Sequence, residues 1–454
     1  MNLMNPCGRN TTRDLTRHAT RRAALLACSL LAASWLSPAA QADTVVPPAA
    51  QAPLWAAAGQ EQPALLETLR ALVGIESGSS DREGLDQISE LIATRLRELG
   101  GEVNFIEAAP ADLYRMEDTP PRPGRMVHAV FKGSGQRRIL LIAHMDTVYP
   151  RGMLAQQPYR VEGNRAYGLG IADDKQGVAT VLHTVALLKR LGVNSYGQLT
   201  VLINGDEEIS SPASRKSLAR LGREHDLVLS YEATRVGGDK LSLATSGIAM
   251  ASLKVVGRAS HAGGAPEAGI NALYELSHQL LQLRDLSVPE RGLKVNWTLA
   301  KAGVVRNMIP PEASAQADVR LLRVSDLQAL DSQLQARVQR HLLPGSEVSV
   351  TLENRRPPLE PSDAARRVGA HAQQIYREIG HTLQIDDRPE GGGTDAAFAA
   401  LETRAPVLER LGLQGFGAHS DKAEYVLLDS IQPRLYLGLR LIGDFAAGRV
   451  AGAD

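Results

Sequence analysis

The sequence predicts an α/β catalytic domain, built on a mainly parallel sheet with helices on both faces, plus a small α+β domain inserted into it. Three observations predict this. Short continuous apolar runs alternate with helical stretches between residues 138 and 230. From about Gly247 the pattern changes to half-exposed strands and two helices in the order βαββαβ, a ferredoxin-like two-layer arrangement. After Pro357-Pro358 the first style returns. A chain of 454 residues is also longer than one hydrophobic core usually serves.

At the N-terminus, Arg9, Arg13, Arg17, Arg21 and Arg22 precede an apolar stretch from Ala23 to Leu36, and Ala40-Gln41-Ala42 offers small residues for cleavage. Residues 1–42 therefore read as a signal peptide, with a periplasmic or secreted product. The apolar stretch is shorter than the ~20 residues a membrane span needs. Thr20 to Leu25 partly matches a twin-arginine signal, and Cys28 faintly suggests a lipoprotein site, although the apolar run continues past it. Cleavage removes five arginines and one aspartate, leaving 45 basic and 49 acidic residues. It also removes both cysteines, Cys7 and Cys28, so a metal in the mature chain must be held by histidines and carboxylates. The balanced charge, with no basic run, excludes nucleic acid as an expected partner.

Residues 43–60, rich in Ala, Pro and Gln, read as a leader. The first part of the catalytic domain is expected over 61–246, the inserted domain over 247–356 and the second part over 357–450. Helical periodicity begins near Pro63 and again over Asp86–Leu99. Arg138–Ala143, Leu199–Ile203 and Asp226–Ser230 are apolar runs of the kind a strand covered on both faces requires. Lys175–Leu191 reads as the helix between the first two. In the insert, strands are expected at Ile248–Val256, Leu293–Lys301, Ala313–Leu322 and Glu347–Leu352, and helices at Asn271–Leu283 and Ser325–His341.

The three buried runs each end in candidate metal ligands: His144-Met145-Asp146, Asp206-Glu207-Glu208 and Tyr231-Glu232. In an open parallel sheet, ligands bind beyond the carboxyl ends of the strands. His144 and Asp146 lie two apart on an extended segment and share a face, so Asp146 can take the second ring N–H of a metal-bound His144. In an extended segment Glu207 and Glu208 point opposite ways. One can ligate while the other holds a proton, which is the division of labour that metal-assisted hydrolysis needs. Asp173-Asp174 reads either as an N-cap pair for the next helix or as a carboxylate bridging two ions. His419 stands in a Gly-rich loop, and Gly391-Gly392-Gly393-Thr394-Asp395 forms another, in which backbone can approach a ligand closely.

Taken with Ser260-His261-Ala262-Gly263, Asn307-Met308-Ile309-Pro310 and Gly417-Ala418-His419-Ser420-Asp421-Lys422-Ala423-Glu424, these stretches make the chain resemble the co-catalytic dizinc exopeptidases. That family includes carboxypeptidase G (glutamate carboxypeptidase), succinyl-diaminopimelate desuccinylase and aminoacylase. The likeness spans roughly residues 60–450 and is nearest the glutamate carboxypeptidase branch. It implies two zinc ions, with cobalt or manganese as substitutes: Asp173 bridges them, His144 and Glu232 complete one shell, and Glu208 and His419 complete the other. It implies Glu207 as general base, Asp146 behind His144, a cis peptide at Asp173-Asp174, and His261 reaching the scissile carbonyl across a homodimer interface made by the inserted domain. Arg356, Asn307, Lys240 and Arg320, together with Gly392, Gly393 and Thr394, match substrate-binding positions. The implied reaction releases a C-terminal glutamate-like residue from N-acyl, peptidyl or folate-type small substrates. Aminoacylase, dipeptidase or desuccinylase activity on the same centre remains open. A non-catalytic metal-binding protein is the alternative of another kind, against which Glu207 argues.

Overall fold

A computed structural model describes residues 47–389, 391–420 and 423–450. The segment 1–42, with its signal-peptide reading, lies outside the described residues. No helix among the described residues is long and apolar enough to cross a membrane.

The central sheet has six strands: Glu102–Ile106 (β1), Met126–Lys132 (β2), Arg138–His144 (β3), Gln198–Asn204 (β4), Leu227–Ser230 (β5) and, much later in the chain, Val407–Leu408. They lie in the order β1, β2, β4, β3, β5, Val407–Leu408. β4, β3, β5 and the late strand run parallel, while β1 and β2 add an antiparallel edge that the sequence reading did not include. His144 pairs with Asn204, and Ile142 with Ser230, so the three apolar strands finish along one edge. Alternate residues of β3 enter different cores. Ile139 and Leu141 pack with Val178 and Val181 of helix Gln176–Arg190, while Leu140 and Ile142 pack with Leu218, Leu221 and Phe398. A continuous apolar run is thus used on both faces, which the period-two geometry of a strand demands when helices cover both sides.

A four-stranded sheet is wholly antiparallel. Its strands are Gly247–Val256 (β6), Lys294–Ala302 (β7), Glu312–Leu321 (β8) and Glu347–Arg356 (β9), in the order β7, β8, β6, β9. Helices Ala272–Leu283 and Val324–Val338 pack on it around Leu253, Leu276, Val319 and Leu334. Its burial alternates strictly along β6 and β8.

Two expectations need correction. Residues 43–60 are not only a leader, because Ala52–Gln60 is a helix, with Ala58 fully buried and Trp55 edge-on to Tyr436 at 5.4 Å. Alanines favour a helix, and Pro53 sits in its first turn, where its missing N–H costs nothing. The strand expected at Glu347–Leu352 also runs four residues further, as β9, so Arg355-Arg356 belongs to it: Ile248 pairs with Arg356.

His225 (4% exposed) ties helix Arg215–Glu224 to β4. Its Nδ1–H donates to Leu221 O and its Nε2 accepts from Thr200 Oγ1, both at 2.7 Å. Both nitrogens are satisfied in the neutral ring, and burial pushes the imidazole down to about 4. A histidine depressed in this way stabilises the fold fully above its unfolded value of ~6.5 and loses that contribution as pH falls towards 4. Denaturant titrations should therefore show stability falling from pH 7 to pH 4, with on the order of 3 kcal/mol of the loss absent in His225→Gln. Parallel curves for the two proteins would refute the assignment.

Candidate metal centre

The edge where β3, β4 and β5 end gathers the acidic and imidazole groups. His144 closes β3 and is buried. Glu207 and Glu208 follow β4 in a single 3-10 turn, Glu207–Ile209. This corrects the expectation of an extended pair: the turn, not strand alternation, sends the two carboxylates to different partners. Glu232 lies two residues beyond β5. Asp173 and Asp174 precede helix Gln176–Arg190, joined by a cis peptide.

Asp173 divides its oxygens between two histidines. Oδ1 lies 3.0 Å from His144 Nε2 and Oδ2 lies 3.1 Å from His419 Nε2. Glu232 Oε1 lies 3.3 Å from His144 Nε2, and Glu208 Oε2 lies 3.0 Å from His419 Nε2. Donor atoms of His144, Glu207 and Glu232 fall within 4.8 Å of one another, as do those of Asp173, Glu208 and His419. Glu207 therefore stands beside the first group, where the sequence reading left it outside both shells.

Asp174 takes the other half of the ambiguity. It accepts from Gly177 N at 3.2 Å in the first turn of the helix and from Gln176 Nε2 at 2.6 Å. The capping reading thus applies to Asp174 and the bridging position to Asp173. Asp146 also does more than expected. His144 Nδ1 is nearest its backbone carbonyl, at 3.1 Å, and 3.3 Å from its carboxylate. That carboxylate accepts the backbone N–H groups of Glu207 and Glu208, each at 3.1 Å, and Ser79 Oγ at 2.8 Å. It ties the β3 end to the turn after β4.

The electrostatics fit a cation. Burial drives the Glu208 carboxyl up to about 8, with Asp173 adding repulsion, and pushes Glu207 and Asp174 well above the carboxylate range. Asp173 and Glu208 in turn hold His419 up to about 11. So many carboxylates cannot share a buried volume in ionised form unless positive charge lies among them. The donors, imidazole nitrogen and carboxylate oxygen without thiolate, are those that divalent metals take.

The substrate-binding candidates are spread more widely. Arg356 is buried, its NH1 ion-paired with Glu207 Oε1 and its NH2 2.5 Å from Glu207 O. Thr394 and Gly392 line a cleft of about 580 Å³ with Asp173, Glu232 and His419. Lys240 pairs with Asp386 at 3.2 Å. Arg320 bonds Asp318 at 3.0 Å and reaches Gly391 O at 3.4 Å. His261 and Asn307 are exposed neighbours, linked by Ala262 N to Asn307 O at 3.0 Å, and among the described residues neither touches the ligand cluster. His261 Nδ1 accepts from Gly263 N and Gly264 N at 3.2 and 2.9 Å, so its proton sits on Nε2.

One supporting residue escaped the sequence reading. Glu424 is fully buried, accepts from Ala172 N at 3.0 Å and from the Tyr149 hydroxyl, and is pushed up to about 7 by burial. It joins the His419 loop to the turn carrying Asp173. Its only signal was its place at the end of the His419 motif.

Residues 140–444 match the model of peptidase family M20/M25/M40. The chain belongs to this family. The M20/M25/M40 chain is 44% identical over 432 residues to carboxypeptidase G2 of Pseudomonas sp. (strain RS-16), covering 95% of itself and 99% of that protein. It is 28% identical to succinyl-diaminopimelate desuccinylase of Gluconobacter oxydans (strain 621H) over 367 residues, 76% of this chain and 90% of the relative. Among solved structures it resembles aminopeptidase PepT from Bacillus cereus ATCC 10987, with a TM-score of 0.68 at 19% identity, over 85% of this chain and 99% of that one. It also resembles the metallo-carboxypeptidase Sso-CP2 from Sulfolobus solfataricus, with a TM-score of 0.60 at 15% identity, over 86% and 99%. These findings make the M20/M25/M40 chain a metallo-exopeptidase.

Glu424→Gln keeps the size of the side chain but weakens its grip on Ala172 N. Metal affinity, read by chelator competition, should fall roughly 10- to 100-fold. Unchanged affinity would show that the His419 loop holds its place without Glu424.

Proposed function

We propose that the chain is a two-zinc carboxypeptidase that hydrolyses an amide and releases a C-terminal glutamate-like residue from N-acyl, peptidyl or folate-type substrates. The observation that carries the reading is Glu207: a buried carboxyl beside both the ligand cluster and Arg356, on the turn that also supplies Glu208. The extensive identity to a protein named carboxypeptidase G2 supports the substrate class.

His144, Asp173 and Glu232 would hold one ion, and Asp173, Glu208 and His419 the other. When bound, two divalent ions supply an acidified water and a Lewis-acid pull on the amide carbonyl. Glu207 takes the proton from the attacking water and returns it to the leaving amine. Arg356 offers a planar fork that matches the free carboxylate of the released residue. His261, from a second copy of the chain, donates its Nε2–H to the carbonyl oxygen as negative charge gathers there.

The homodimer reading is supported by β7, an outer strand of its sheet, and by exposed Leu299, Val304, Val305 and Tyr274 around it. The segment 247–356 then acts as a lid and dimerisation domain. Cobalt or manganese suits the same donors. Export as a periplasmic or secreted protein rests on the residue pattern of 1–42 alone.

Glu207→Gln should retain two metal ions and the fold, while kcat for an N-acyl-glutamate falls ~10²- to 10⁴-fold. Metal content, melting temperature and a panel of acyl-Glu, acyl-Asp, acyl-Ala and a folate measure this together. Near-normal turnover by the metal-loaded variant would sink the base assignment, and equal turnover of acyl-Ala would sink the glutamate assignment.

A further inference from the structure

The loop Gly391–Asp395 packs against Arg356. A Cβ on Gly393 would stand 2.7 Å from Arg356 Cδ and 2.7 Å from Ser246 O, closer than any side chain tolerates. Ser246 N donates to Gly392 O at 2.9 Å, fixing the loop beside the start of β6, the strand that pairs with Arg356. At the other end of the loop, Asp395 Oδ1 lies 3.8 Å from Arg356 NH1.

Asp395 is buried (5% exposed) and occupies the N-cap of helix Ala396–Ala400, yet its side chain makes no capping bond. An N-cap aspartate normally accepts from the first turn of its helix. This one instead accepts from Asn204 Nδ2 at 2.7 Å, at the end of β4, and from the Ser211 hydroxyl. Two donors from distant elements thus aim a buried carboxylate at a buried guanidinium. The needs of the helix do not explain that arrangement.

We propose that Gly393 and Asp395 form the seat of Arg356: Gly393 admits the stem, and Asp395 holds the head so that its fork faces the free carboxylate of the substrate. This rests on the reading of Arg356 as the carboxylate anchor. Asp395 touches no substrate; it is a positioning residue. At 3.8 Å it attracts the guanidinium without a hydrogen bond. The fork can therefore turn from Glu207 to a ligand and still have a compensating charge beside it, which a buried cation requires.

The test uses the metal-loaded full chain with an N-acyl-glutamate and the same compound amidated at its α-carboxyl. Asp395→Asn, which keeps the shape of the side chain, should raise KM for the free acid roughly tenfold. It should leave kcat, KM for the amide, metal content and melting temperature near wild type. Gly393→Ala, which displaces the stem, should act in the same direction. In an Arg356→Ala background, Asp395→Asn should add nothing, because both act through one group. The seat is overturned if Asp395→Asn still raises KM in that background, or if acid and amide respond alike. If Arg356→Ala itself leaves the acid-over-amide preference intact, the anchor reading falls and the seat with it. If Arg356→Ala removes the preference and Asp395→Asn does not, only the seat falls.

Discussion

Asp173 sets one carboxylate oxygen against His144 and the other against His419, and the placement of the other groups at the centre follows from that division. His144 is fixed by a strand of the central sheet, whereas His419 arrives on a loop nearly at the end of the chain. A single carboxylate facing both must be held at a defined depth and angle. The backbone supplies this just before helix Gln176–Arg190, where Asp174 is committed to Gly177 and Gln176 and leaves Asp173 to turn outward. Glu232 then accompanies His144, and Glu208 accompanies His419, each at ion-pair distance.

Around this centre, buried carboxylates do a second job: they anchor backbone. Asp146 receives the N–H groups of Glu207 and Glu208, Asp206 those of Ala213 and Ser214, and Glu424 that of Ala172. Loops that leave a parallel sheet carry N–H groups with no strand to receive them, and a buried N–H left unpaired is costly. An acidic side chain at the root of the loop satisfies several donors at once and fixes the loop's path. The same residue type thus meets two needs here, lining the candidate metal centre and bracing loops, distinguished by whether its oxygens meet imidazole or amide.

That double use explains what the sequence could tell. β3, β4 and β5 were legible because continuous apolar runs of that length between helices have few other uses, and their tips pointed to His144, Glu207, Glu208 and Glu232. The antiparallel small sheet was legible from alternation along β6 and from the βαββαβ order of the segments. Helix Ala52–Gln60 was not, because Ala, Pro and Gln suit a linker equally well and its burial depends on Tyr436, far away in the chain. β9 was cut short because its apolar alternation stops at Leu352, although its pairing with β6 continues to Arg356. Asp395 was quoted only as the end of a Gly-rich run. Its partners Asn204, Ser211 and Arg356 come from three other places, and no local pattern joins them.

The charge distribution also bears on what can enter. The site presents Asp173 and Glu232 nearer its opening, with Glu207, Glu208 and Asp146 beneath. An acidic ligand meets repulsion there unless cations outweigh it, so local positive charge decides which substrates are accepted. Arg356 is the buried cation beside Glu207, and its charge is permanent at any working pH. A guanidinium placed next to Glu207 can answer to a second carboxylate, because one that draws the fork toward itself also loosens its hold on Glu207. A neutral ligand draws nothing and leaves the ion pair intact. On the proposed reading of Arg356 as the carboxylate anchor, preference for an acidic residue is exercised in binding, by a guanidinium that must leave Glu207 to meet the ligand.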